Sequence, residues 1–116
     1  DEPRIVNISS TLGSLTRKSS GGTYSYSSSK AALNMLTRTL AFDLRSDGIT
    51  VVAMHPGWVR TDMGGSGAPL SPRESAQGIL DVVSDLSLDD SRGFITHRGQ
   101  EAPWWGHRAV FRICRC

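Results

Sequence analysis

The 116 residues, 38% of them hydrophobic and 21% charged, suit one small globular domain and exclude disordered and fibrous classes. A formal net charge of +2 is too mild for a nucleic-acid partner, because such a footprint needs Lys and Arg clustered on one face, and only the closing "RAVFRICRC" is clustered in that way. No apolar run approaches the roughly eighteen residues of a membrane span and no start resembles a secretion signal, so no membrane partner is expected and the cytoplasm is the expected location.

The opening "DEPRIVNISS" has no methionine and stands one turn before an apolar run, which reads as a piece cut from something longer. Residues 4 to 9, "RIVNIS", are short and β-branched and predict a buried strand running into a loop, "TLGSLTRKSSGGT". From about residue 25 to residue 45 there is neither Pro nor Gly, and Leu33, Leu36, Leu40 and Leu44 recur at steps of three and four. That pattern predicts a long helix with one apolar stripe. Ala32, Met35 and Phe42 widen the apolar surface, so the helix is expected to meet more than one neighbour. Gly48 suits the left-handed turn that follows a helix.

"ITVVAMH" at 49 to 55 is nearly continuous in apolar residues, as expected of a parallel strand covered on both faces. Pro56, Gly57 and the glycines at 64, 65 and 67 keep the next segment irregular. Ser71, Pro72 and Glu74 form a capping box that starts a second helix, whose buried face is predicted at Ala76, Ile79, Leu80 and Val83. "GFITH" at 93 to 97 reads as a last strand. This alternation with long connections implies parallel pairing and an α/β layer fold. Three strands make a thin sheet with edges that want cover, so partner strands are expected N-terminal to Asp1. Cys114 and Cys116, in a C-x-C at the end of the chain, are too few and too close for a disulfide framework or a four-ligand zinc site and read as free thiols; no metal is expected.

The chemistry centres on Tyr26 and Lys30. Four positions apart on a helix they share a face, and an ammonium beside a phenol favours the phenolate, which suits proton transfer near neutral pH. The positive end of the helix dipole acts in the same direction. With two Tyr and two Lys in the chain, a chance pair at this spacing is expected about 0.03 times. Solvated surface residues remain the bland alternative. Ser10 ends the first strand and Pro56 and Gly57 follow the second, at the carboxyl edge where open α/β sheets place ligands.

In this order, "NISS" at 7 to 10, "YSSSK" at 26 to 30 and "HPGWVRTDM" at 55 to 63 resemble the short-chain dehydrogenase/reductase family, and most of all its C-factor and sniffer type of carbonyl reductase. The similarity runs from about Arg4 to Trp104. The resemblance implies the C-terminal half of a Rossmann-like, doubly wound parallel sheet: residues 1–104 as part of one such domain and 105–116 as an atypical basic tail. It implies an oxidoreductase that moves a hydride between NADP or NAD, with NADP favoured, and a small-molecule carbonyl or alcohol. Tyr26 would be the proton donor, Lys30 would assist it and hold the nicotinamide ribose, and Ser10 would stabilise charge on the substrate oxygen. Pro56, Gly57, Val59 and Thr61 match the segment that lies against the nicotinamide.

The interval from Ser10 to Tyr26 is longer than is usual in the family, which leaves Ser9 and Ser14 as alternatives to Ser10. No Gly-rich phosphate loop is present, since Gly65 and Gly67 lack the surrounding βα unit, so the 116 residues alone are expected to bind cofactor poorly and turn over little. His55 reads as structural. A homo-oligomer is expected for the full-length protein. The rival function is a non-catalytic signalling or interaction module on the same scaffold.

Overall fold

A computed structural model describes residues 2–104, which leaves the basic tail, Cys114 and Cys116 outside the described residues. Five main elements follow in order: β1 (Arg4–Ile8), α1 (Tyr24–Asp43), β2 (Thr50–His55), α2 (Pro72–Asp85) and β3 (Phe94–Thr96). The strands form one parallel sheet in the order β1-β2-β3, with Ile5 opposite Val51 and Met54 opposite Ile95. This is the α/β arrangement expected from the alternation of elements. β2 lies in the middle, and Val51, Val52, Ala53 and Met54 are fully buried, which is why its sequence reads as an apolar run.

The edge at β3 is covered by the chain itself. Residues after the strand turn at Gly99 and come back antiparallel, so that Thr96 N–H donates to Gln100 O at 2.8 Å and Ala102 N–H to Phe94 O at 2.7 Å. Among the described residues β1 pairs only with β2.

α1 starts at Tyr24 and ends at Asp43, one or two residues earlier at each end than the composition indicates. Gly48 takes the left-handed conformation at φ 72°, but it closes a short 3-10 turn after α1 rather than the helix itself. The leucine stripe is not what α1 buries: its buried residues are Asn34, Thr37 and Ala41, while Leu36 is 65% exposed. α1 packs chiefly over the central β2, and a polar seam joins it to β1 and the loop that follows. Asn7 Nδ2 donates to Thr37 Oγ1 at 2.9 Å, Ser9 Oγ donates to Asn34 Oδ1, and small or polar side chains let helix and sheet approach closely. Met35 and Phe42 stay exposed on the other faces.

α2 begins with the expected capping box: Glu74 N–H donates to Ser71 Oγ at 3.2 Å, and the Glu74 carboxylate accepts from Ser71 N–H at 2.8 Å. Its inward face also differs from the expected one. Ser75 is buried, whereas Ala76 and Leu80 are exposed. Ser75 Oγ donates to Pro56 O at 2.6 Å, and a Cβ on Gly78 would lie 2.7 Å from His97 O, so α2 packs through small residues against the two loops at the strand ends. No helix among the described residues is long and apolar enough to cross a membrane.

Candidate active site

The carboxyl ends of the three strands carry the residues singled out by sequence. At the end of β1, Ile8 O accepts from Lys30 Nζ at 3.1 Å, and the same ammonium lies 5.8 Å from the centre of the Tyr26 ring. The four-residue spacing therefore places phenol and ammonium side by side, with the ammonium anchored to β1. Tyr26 and Lys30 are both half-buried.

Ser10 lies two residues beyond Ile8 and caps the 3-10 turn Thr11–Gly13 by accepting from Leu12 N–H at 3.1 Å. That bond uses a lone pair and leaves the hydroxyl hydrogen of Ser10 available. The alternatives are committed elsewhere: Ser9 donates to Asn34 Oδ1, and buried Ser14 donates to Pro103 O. The turn itself rests on α1. A Cβ at Gly13 would lie 2.7 Å from the carbonyl carbon of Lys30 and 2.8 Å from Ala31 N, a closeness only glycine permits. Sequence reasoning passed over Gly13, Asn34 and Ser75; a lone glycine between two polar turns was the one local signal for the first.

The second wall begins at His55, the last residue of β2. Its Nδ1 accepts from Thr11 N–H at 3.4 Å, which ties the ends of β1 and β2 together. Burial, then the neighbouring His97 and Arg17, hold the His55 pKa below its ordinary value. The structural role expected of His55 matches this placement. Gly57 sits at φ 87°, where an L side chain is strained, and a Cβ there would meet Leu70 Cδ1 at 2.4 Å and His97 Cε1 at 2.8 Å. Burial, with a smaller contribution from Arg98, also lowers the His97 pKa, and both His97 ring nitrogens are buried without a partner among the described residues.

Beyond Gly57, Val59 bridges to Leu70 in parallel fashion, with Arg60 N–H donating to Leu70 O at 2.7 Å and Leu70 N–H to Trp58 O at 3.2 Å. These bonds turn the Val59 N–H and C=O the other way; neither has a hydrogen-bond partner among the described residues, and the C=O lies so close to Gly64 that a Cβ there would overlap it. Thr61 is exposed and accepts from Gly64 N–H at 3.1 Å; Trp58 is 60% exposed and donates through Nε1 to Gly64 O at 2.8 Å. Arg60 donates to Ala68 O and Pro69 O, both at 3.1 Å, which holds the glycine-rich loop in shape.

Comparison with known proteins is consistent with this geometry. The family described as short chain dehydrogenase matches residues 1–69, more than half of the chain. The chain belongs to the short-chain dehydrogenase family. This short-chain dehydrogenase is 44% identical to the carbonyl reductase Sniffer of D. melanogaster, with a TM-score of 0.85 over 87% of this chain and 41% of that one. It is 46% identical to the NADPH-bound carbonyl reductase from chicken fatty liver, with a TM-score of 0.80 over 87% of this chain and 42% of that one. Among curated relatives it is 45% identical over 101 residues to the C-signal of Myxococcus xanthus, covering 87% of this chain and 61% of the relative. The chain thus spans less than two thirds of each. Its parallel sheet is part of the Rossmann fold of these neighbours.

Proposed function

We propose that residues 4–104 form the reacting end of a nicotinamide-dependent carbonyl reductase. The observation that carries this reading is the Lys30 ammonium, held at 3.1 Å by Ile8 O and 5.8 Å from the Tyr26 ring, with Ser10 two residues further along the same strand end. In this reading the proton donor, the cation and the hydrogen-bond donor all serve one substrate oxygen.

The cofactor class fits the donor set. A primary amide such as that of nicotinamide offers one acceptor and a pair of donors. The Val59 N–H, unpaired among the described residues, suits the acceptor of that amide, while the Val59 C=O packs against Gly64. Pro56 and Gly57 lead into that segment, and Thr61 retains a hydroxyl hydrogen while accepting from Gly64. The neighbours described as bound to NADPH or NADP favour the phosphorylated form.

When bound, the nicotinamide supplies the hydride to the carbonyl carbon. The chain manages the oxygen. Ser10 donates a hydrogen bond to it, stabilising the charge that develops there, and Tyr26 transfers its phenolic proton to it. Lys30, fixed by Ile8 O, holds a positive charge beside the Tyr26 ring. For alcohol oxidation the same proton travels back.

These residues hold the nicotinamide end of a dinucleotide, and the 116 residues contain no Gly-rich loop for its phosphates. By itself the chain therefore binds NADPH weakly and turns over little. The experiment is a chimera in which residues 4–104 replace the matching part of the D. melanogaster carbonyl reductase. The chimera is expected to reduce aldehydes or ketones with NADPH while the 116-residue chain does so far more slowly. An inactive but folded chimera, or a lone chain as active as a complete reductase, would overturn the reading. The relative named C-signal supports a rival role in signalling on the same scaffold, which needs no turnover from the chimera.

A further inference from the structure

The loop that carries Ser10 is held on both sides. On one side Gly13 abuts the backbone of α1 at Lys30. On the other the chain from Ala102 to Trp104 passes across it. Ser14, 1% exposed, donates to Pro103 O, and Leu15 N–H donates to Trp104 O at 3.1 Å. Arg17 N–H in turn donates to Ser14 Oγ at 3.4 Å, so one buried hydroxyl bonds both the C-terminal segment and the next part of its own loop.

The far end of this contact is anchored in the core. The Trp104 ring stacks on Phe94 with centroids 5.0 Å apart and planes 30° from parallel. Phe94, fully buried, packs with Ala53 of β2 and with Ala102. Ala102 is itself fastened to β3 by its bond to Phe94 O. A rigid path therefore runs from the centre of the sheet through Trp104 to the turn that bears Ser10. Leu12 and Leu15, 45% and 73% exposed, lie along the same loop.

We propose that residues 102–104 are a strap that positions the Ser10 loop for the carbonyl substrate, with Ser14 and Trp104 as positioning residues. This rests on the reductase reading of the site. Ser10 can serve a substrate oxygen shared with Tyr26 only if its distance from α1 is fixed, and displacement of such a group by about 1 Å can cost as much as a hundred-fold in rate. Gly13 sets the nearest approach of loop and helix, and the strap prevents the loop from drifting outward.

Two measurements test the strap. In the 116-residue chain, Ser14→Ala should speed amide hydrogen exchange at Gly13, Ser14 and Leu15 about ten-fold or more while the β2 amides stay within about two-fold. Unchanged loop exchange overturns the proposal; so does acceleration spread equally over β2, since Ser14 then holds the whole fold and not the loop. Trp104→Leu removes the stack and should give the same pattern; if that variant unfolds, Ser14→Ala decides alone. In the chimera, Ser14→Ala should lower kcat/KM for the carbonyl substrate roughly ten-fold, with the KM for NADPH unchanged. Carbonyl kinetics that do not move, or a cofactor KM that moves equally, contradict the positioning role. A parent chimera without activity refutes the reductase reading instead, and the exchange measurement then judges the strap by itself.

Discussion

Substituting Gly13 by Ala adds one methyl group at the tightest contact between the Ser10 loop and α1. The new Cβ would lie 2.7 Å from the Lys30 carbonyl carbon, 2.8 Å from Ala31 N and 2.9 Å from Lys30 Cβ. Two of those atoms are helix backbone, which cannot swing aside as the end of a flexible side chain would. Because Gly13 does not occupy the left-handed region, alanine is conformationally acceptable there and stiffens the unfolded chain, a gain of about 0.4 to 1 kcal/mol. Overpacking of a tight interface costs about 1 to 3 kcal/mol. The cost wins, for a net loss of about 1 to 2 kcal/mol, or roughly 5 to 10 °C in Tm for a domain of this size. Gly67→Ala is the control, since nothing lies within 4 Å of a Cβ there; its Tm should hold or rise slightly. Thermal melts followed by circular dichroism measure both. A Gly13→Ala chain as stable as the parent would refute the close contact between turn and helix.

Two further outcomes follow from the same geometry. Stability should fall with acid: the folded-state pKa of His55 and of His97 lies below the ordinary 6.5, so the unfolded chain binds more protons below that value and stability is lost as the pH drops through it. Urea unfolding midpoints at pH 7.5 and 5.5 measure this, and a midpoint equal or higher at the lower pH contradicts the burial of both imidazoles. Ser71→Ala removes the bond from Glu74 N–H to Ser71 Oγ and leaves the one from the residue 71 N–H to the Glu74 carboxylate; it should cost about 1 kcal/mol, seen as a lower Tm with an unchanged spectrum at low temperature; no loss would mean that the helix start is held by Pro72, the remaining bond and packing.

The sheet was legible because burial on both faces leaves an apolar sequence, as in Val51 to Met54. The start of α2 was legible because Ser71, Pro72 and Glu74 solve a local problem of unsatisfied N–H groups. The helix faces were not. A count of leucines assumes that apolar means inward, whereas α1 meets β1 through Asn34 and Thr37, whose side chains bond Ser9 and Asn7 across the interface. In the candidate site, the spacing of Tyr26 and Lys30 survives translation into space because a helix fixes it. Three serines of one loop, 9, 10 and 14, have the same chemistry on paper, and only their partners distinguish them. The bond from Ser14 to Pro103 spans 89 residues and leaves no local trace.

The role of Tyr26 as proton donor is the centre of the account, and Tyr26→Phe in the chimera tests it most directly, because it deletes one hydroxyl and keeps the ring beside Lys30. A general acid contributes roughly a hundred- to ten-thousand-fold. The account predicts a fall in kcat for carbonyl reduction of at least a hundred-fold, with an unchanged circular dichroism spectrum and an NADPH affinity within a few-fold of the parent. A Tyr26→Phe chimera that keeps its kcat within a few-fold would contradict it.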